Sequence, residues 1–334
     1  MIQERADLII VKEREIPVVA GKVDIFELKY FDDNPRILSI VSSLPKPVTQ
    51  SMVEEKLWEV DYVRELFQII KKDGGLVEPV LLRGNEVIEG NCRLRCYRQL
   101  YQRAAENEKG KWREIPSRAL PKDTTDEEVA SILGTLHIHG KQRWDPFETA
   151  GYIWSQTYKL NKTPEELAEL FTMTKAEVER SINVYQLMKD YKVTDTKKFS
   201  YFDEYFKSAT LVKLAKKDDA LEKKVVDWVM EGRIPRAEDI RELGHILEDT
   251  KIAPKFRSGQ LDFEEALQAT YDRHPEHEST FYSRLEKAKK WLDKAPIAEI
   301  KQEIVADPHK RTKIKYFLKS VRDFAKTLDL EQKD

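Results

Sequence analysis

The stretch IEGNCRLRCYRQL (88–100) combines residue types and spacing suited to anion chemistry. A short apolar run through Val87 and Ile88 ends at Glu89 and Gly90. A helical pattern opens at once, with Arg93 and Arg95 in its first turn. The free N–H groups of a helix start point at an anion, a glycine lets the backbone come close, and guanidinium groups add bidentate donors. The helix dipole disfavours cations at that end, so two arginines there need another reason. A bound anion would supply it, and so would pairing with surface glutamates; the spacing leaves both open. Glu89 is the one acid beside Gly90 and therefore the candidate catalytic group.

Two further stretches carry candidate phosphate contacts. From Pro164 to about Met188, two capped helical segments follow one another across a break at Thr172-Met173. Ala168 is small where the two must approach, and Val178 and Ile182 take the inward face. Lys175, Glu179, Arg180 and Asn183 are left for solvent or a DNA groove, where such side chains reach phosphates and base edges. An ordinary helical hairpin would show the same spacing. The stretch PHKRTKIKYFLKSVRDFAKT (308–327) sets Lys310, Arg311, Lys313, Lys315, Lys319, Arg322 and Lys326 against Asp323. Ile314, Phe317, Leu318, Val321 and Phe324 form its apolar stripe. It reads either as a solvated face over a packed stripe or as a contact to a phosphate backbone.

The histidines are His137, His139, His245, His274, His277 and His309. His137 and His139 would share a face if they lay on a strand, but no carboxylate or cysteine set beside them completes a ligand shell, so no metal site is expected. In the loop that follows, Gly140 permits close approach, and Lys141 and Arg143 are placed to meet phosphates. Cys92 and Cys96 lie four apart on one helix face with no second pair, and read as small buried hydrophobes in a reducing compartment.

The strand followed by Gly90-Asn91-Cys92-Arg93 and an apolar helix resembles the nucleotide-binding box of the ParB/sulfiredoxin superfamily. Three more pieces stand in that family's order. Asn34-Pro35-Arg36 resembles its N-P-x-R box. Gly75-Leu76-Val77-Glu78-Pro79-Val80 resembles its G-L-x-x-P-[IV] lead into a hairpin. Gln142-Arg143-Trp144-Asp145-Pro146-Phe147-Glu148 is similar to its Q-R-x-x-x-x-P-x-E segment, one or two residues shorter. A helix-turn-helix then follows, as in chromosome- and plasmid-partition proteins of the ParB type, so the resemblance covers about residues 24–190. It implies a nucleotide-dependent DNA-binding factor serving partition, mobile-element maintenance or regulation, and working as a homodimer. CTP or ATP, with Mg2+ as a possible companion, would sit on Asn34, Arg36, Gly90, Asn91, Arg93, Arg95, Lys141, Gln142 and Arg143. DNA would meet Lys175, Arg180 and Asn183, with Lys310, Arg311, Lys313 and Lys315 as further contacts.

The chain departs from that pattern at several positions. Asn91 stands where the family's G-E-R-R box carries Glu, and His139 and Gly140 stand where partition proteins carry the Glu and Asn of E-N-x-x-R. Acidic ligands are lost and phosphate donors kept, so turnover of CTP or ATP is expected to be weak or absent. Sulfiredoxin's reactive cysteine aligns with Asn91, and Cys92 is one residue on, about 100° round the helix. Thr172 replaces the glycine usual in the helix-turn-helix break, at a position whose positive φ is costly for a side chain. Two other classes stay open: a nucleotide hydrolase or nuclease on the same fold, and an adaptor whose nucleotide pocket has decayed.

The elements that must position these residues form an α+β N-terminal domain followed by mostly α-helical domains. Residues 1–23 carry β-like runs and read as an arm or edge strand. Within 24–140, residues 37–50 read as an irregular insertion. Ser51-Met52-Val53-Glu54 has capping-box form, opening a helix with Leu57, Val60, Val63, Leu66, Phe67 and Ile70 on its apolar face. Val80–Leu82 and Glu86–Ile88 flank Arg83-Gly84-Asn85, a hairpin signal. Residues 141–190 form the helix-turn-helix domain, the polar run 189–200 a linker, and 200–330 a helical C-terminal domain.

Composition bounds the rest. The 334 residues allow two or three domains, and a 40% hydrophobic share with 35% charged residues is that of a folded chain. No apolar run approaches the ~20 residues of a membrane span, and no signal pattern opens the chain, so a cytoplasmic protein without a membrane partner is expected. A net charge of −2 and a pI near 6.4 exclude nonspecific nucleic-acid binding through global charge. DNA contact must come from local patches.

Overall fold

The computed structural model describes residues 5–11, 14–34, 37, 47–140, 143–278 and 280–328. The strands are β1 (Arg5–Val11), β2 (Arg14–Asp24), β3 (Lys29–Tyr30), β4 (Val80–Arg83), β5 (Glu86–Glu89) and β6 (Glu114–Leu120). They form one mixed sheet in the order β1-β2-β6-β4-β5-β3. β4 and β5 are the expected hairpin, turning through Gly84 at φ +62°, with Leu82 opposite Val87. β4 runs parallel to β6, and β2 pairs antiparallel to β6 with Val19 opposite Ala119. The N-terminal residues from Arg5 onward thus enter the sheet as two strands, with β1 at its edge.

Strand alternation divides the core between the two faces of this sheet. Val87 and Leu82 face α1 (Gln50–Glu59), α2 (Asp61–Asp73) and α3 (Asn91–Arg103), in a cluster with Leu57, Val63, Phe67, Ile70, Leu94 and Cys96. Ile88 turns to the other face, where Val129 and Leu133 of α5 (Asp126–His137) meet Trp144, Tyr152, Leu167, Phe171 and Val178. Between these helices α4 (Lys109–Arg113) leads into β6. The second cluster joins the sheet to the helical part: α6 (Pro146–Lys159), α7 (Pro164–Phe171) and α8 (Lys175–Asp190).

Local chemistry sets most helix ends. Thr125, Thr163 and Thr174 each accept the N–H of a glutamate three residues on, and each glutamate reaches back to its threonine. The helix expected from Ser51 begins instead behind Thr49, whose hydroxyl accepts from Met52 N–H. It also breaks at Val60, whose extended backbone separates α1 from α2. The polar run 189–200 is no free linker. Val193 is buried, Tyr191 Oη donates to Glu222, and the helix Phe199–Lys207 packs on α8.

The chain divides into two compact units, residues 1–244 and 245–334. The boundary expected near 200 therefore falls inside the first. The second unit is helical, with Phe256, Phe263, Ala266 and Thr270 buried. Its last helix, Pro308–Thr327, follows the expected bounds, but Ile314, Phe317, Leu318, Val321 and Phe324 are each 41–50% exposed. The stripe expected to be packed is left about half exposed, with Phe324 touching the Phe281 ring at 5.6 Å.

Candidate functional site

The β5–α3 junction sits in a cleft of about 490 Å3, a size suited to a small ligand. Four boxes far apart in sequence line it: Asn34, the 75–78 loop, Glu89 to Arg93, and the pair His137 and Trp144. The junction is tight because of Gly90. Its φ is +98°, and a Cβ there would lie 2.8 Å from Val80 Cγ1. The glycine expected to admit an anion is thus also required by the backbone. Asn91, which is buried, accepts the Phe31 N–H at its Oδ1 (3.1 Å) and leaves Nδ2 without a hydrogen-bond partner. Asn34 Nδ2 donates to the Ile88 carbonyl at 3.4 Å. Cys92 Sγ lies 3.5 Å from Tyr62 Oη. Burial pushes the Cys96 thiol up to about 12, so it behaves as the inert hydrophobe expected.

The two arginines of the first turn separate. Arg93 lines the cleft, but its guanidinium is already engaged. Nη1 donates to the carbonyls of Glu78 (2.7 Å) and Pro79 (3.0 Å), and Nη2 pairs with Glu89. Arg95 turns to the opposite side of α3 and is corrected out of the cleft. It is buried, Nε donates to the Glu54 carbonyl (2.8 Å), Nη2 donates to Gln99 (2.8 Å), and the guanidinium stacks over Trp58. Residues two apart on a helix point about 200° apart, so one of such a pair faces the core when the other faces a cleft. Glu89 pairs with Arg93 and lies 3.8 Å from His137 Nε2.

The cleft also contains side chains that motif reading passed over. Tyr62, Glu65, Ile69 and Asp73 form one stripe of α2, a helical spacing legible in the sequence had the hydrophobic face not drawn attention first. His137 ends α5 rather than lying on a strand, and stacks on Trp144 at 4.5 Å. His139 instead meets the Phe171 carbonyl at 2.6 Å. Among the described lining residues the balance is four carboxylates, Glu65, Asp73, Glu78 and Glu89, against Arg93. Arg36, Lys141 and Gln142 lie outside the described residues; Arg143 is exposed beside Trp144.

The second candidate site is the hairpin of α7 and α8. Thr172 does adopt the left-handed conformation, φ +54°, and the chain turns there as Met173 N–H bonds the Ala168 carbonyl at 2.9 Å. Val178 is fully buried and Ile182 partly so, as expected. On α8, Lys175 pairs with Glu165 and lies 3.5 Å from Glu179, while Asn183 is exposed. Arg180 is a correction. Its Nε donates to Asp203 at 2.8 Å and it is only 27% exposed, because the helix Phe199–Lys207 covers that side of α8. On the last helix, Lys310 pairs with Glu303, and Arg311, Lys313 and Lys315 are exposed.

No family model and no curated protein sequence matches this chain. Among solved structures it is similar to the C-terminally truncated chromosome-partitioning protein ParB from Caulobacter crescentus in complex with the centromeric parS site. That match has 11% identity and a TM-score of 0.33, over 75% of this chain and 99% of the other. The same protein complexed with CTP-gamma-S matches at 17% identity and TM-score 0.22, over 59% and 97%. A Pnob8-like ParB-N domain matches at 15% identity and TM-score 0.43, over 73% and 98%. No described helix is long and apolar enough to cross a membrane.

Proposed function

We propose that this chain is a ParB-like, nucleotide-dependent DNA-binding protein that takes CTP or ATP in the β5–α3 cleft and DNA on the α7–α8 hairpin. The observation that carries the reading is the convergence of four sequence-distant boxes, around residues 34, 75–78, 89–93 and 137–144, on one cleft at a helix start. First-turn N–H groups and Arg93 would face the phosphates, and the buried Asn91 Nδ2 would find its acceptor there. The four lining carboxylates repel a bare triphosphate, so the nucleotide would enter with Mg2+ as its counter-charge. Arg36, Lys141, Gln142 and Arg143 would add the remaining donors. Glu89, committed to Arg93, is poorly placed to act as a base, which favours binding over turnover. Lys175 and Asn183 would meet DNA, and a homodimer would cover the open stripe of the last helix.

The engagement of Arg93 by Glu89 and two carbonyls also favours a second reading, an adaptor whose pocket no longer takes nucleotide. Calorimetric titration with CTP and ATP, with and without Mg2+ and DNA, separates the two. Binding that requires Mg2+ and weakens with Asn91→Leu supports the nucleotide reading. Absence of binding under every condition, in folded protein, replaces it with the adaptor.

A further inference from the structure

One cluster outside the cleft has metal-ligand chemistry. It lies in the second unit, where the helix Phe263–Arg273 ends at His274 and the short helix Pro275–Glu278 follows. His274, Glu276 and His277 each offer one ring nitrogen or carboxylate oxygen, and these atoms lie within 4.8 Å of one another.

The hydrogen bonds assign the nitrogens. His274 Nε2 is 3.0 Å from Asp249 Oδ2, an oxygen that also accepts from Arg273 Nε at 2.7 Å. The other Asp249 oxygen accepts the N–H groups of Lys251 (2.7 Å) and Ile252 (3.0 Å). Burial alone would raise the Asp249 pKa, but Arg273 and the two N–H groups outweigh it and hold the carboxyl well below its usual range. Asp249 thus holds the His274 ring through Nε2 and turns Nδ1 toward the rest of the cluster. Nδ1 faces Glu276 Oε1 across 3.4 Å. His277 brings a second nitrogen. Its ring stacks on His245 at 3.9 Å, and His245 Nδ1 is buried without a hydrogen-bond partner.

We propose that His274, Glu276 and His277 bind one divalent transition-metal ion of the zinc class, with Asp249 fixing the tautomer and orientation of His274. Two imidazoles and one carboxylate are a donor set that zinc and cobalt favour over magnesium or calcium. A carboxylate behind a ligating histidine is the arrangement that holds such rings in place. The fourth position is left to water or to His245. The ion would tie the end of the Phe263–Arg273 helix to the turn after it, and through Asp249 to the 249–252 segment.

The test uses the full chain, stripped with EDTA and titrated with Co2+, then challenged with Zn2+. The expected result is one equivalent bound per chain, visible ligand-field bands that Zn2+ displaces, and a melting temperature that rises on loading. Glu276→Gln should weaken Co2+ at least ~10-fold with the metal-free melting temperature unchanged, because that side chain lies at the surface of the cluster. His274→Gln with His277→Gln should abolish the bands, and His309→Gln should leave them intact. The proposal is overturned if folded, stripped protein shows no saturable binding below millimolar metal. It is equally overturned if Glu276→Gln and the double variant bind as the parent does, which would leave a proton, not a metal, between His274 and Glu276.

Discussion

Two helices of this chain are rich in basic residues, and their charges meet opposite fates. On α3, Arg93, Arg95 and Arg98 are nearly buried, and each is engaged by carboxylates or carbonyls of the chain itself. Arg98 alone donates to the carbonyls of Ile25 (2.9 Å) and Leu28 (2.7 Å) and pairs with Glu54. On the last helix, Arg311, Lys313, Lys315 and Lys319 stand in solvent beside an open apolar stripe. A count of cations on a helix therefore does not measure charge available to a ligand. What matters is whether backbone carbonyls and carboxylates reach the cations first.

The largest expected effect probes the structural side of this contrast. Arg98→Ala should destabilise the first unit by roughly 3–5 kcal/mol, because it strands Glu54 and buried carbonyls. Lys315→Ala should change stability by less than about 0.5 kcal/mol. Urea unfolding of the two variants measures the difference, and equal midpoints would erase the contrast.

Arg93 stands between the two cases, engaged yet lining the cleft. If the cleft takes nucleotide, Arg93→Ala should weaken binding by roughly 1.5–3 kcal/mol, the scale of a charged hydrogen bond. Calorimetry giving parental affinity in a folded variant would make Arg93 purely structural.

A half-covered pair should show an intermediate effect and a pH signature. The hydrogen bond from Arg241, with help from Lys207, depresses the Glu204 pKa from 4.5 to about 2. A depressed carboxylate contributes stability above its unfolded pKa and loses it as pH falls. The contribution should thus be whole above about 4.5 and fade toward 2. Glu204→Gln should remove about 1–2 kcal/mol of that acid dependence, a figure reduced because Arg241 is largely exposed. Thermal melts across that window would show a flattened profile, and an unchanged profile would place the acid sensitivity elsewhere.

The smallest effect on stability sharpens the other side. Reversing Lys313 and Lys315 to glutamate should leave the melt almost unmoved. If this helix touches phosphates, each lost contact should lower the salt slope of DNA binding by roughly 0.9. An unchanged slope would assign the open stripe and its charges to self-association alone.

Much of the fold was legible because its signals are local. The β4–β5 turn follows from Arg83-Gly84-Asn85, the starts of α7 and α8 follow from a threonine and a glutamate three residues apart, and Thr172 at positive φ follows from its place between two capped helices. The misreadings share one cause. Ser51 was as good a local cap as Thr49. Arg95 was as plausible a phosphate donor as Arg93, and Arg180 as plausible a base contact as Asn183. The 189–200 run was polar enough for a linker. In each case the deciding partner lies outside the window that the pattern spans.

By itself the sequence determined the elements, their order and the boxes that resemble a nucleotide site, since helix caps, turns and strand alternation depend on neighbours a few residues apart. Tertiary structure alone decided which basic groups stay unpaired. Glu54 is 41 residues from Arg95, Asp203 is 23 from Arg180, and Asp249 is 25 from His274. Only the packed chain brings such groups to hydrogen-bonding distance, and at that distance a buried charge takes the nearest opposite partner before any ligand can.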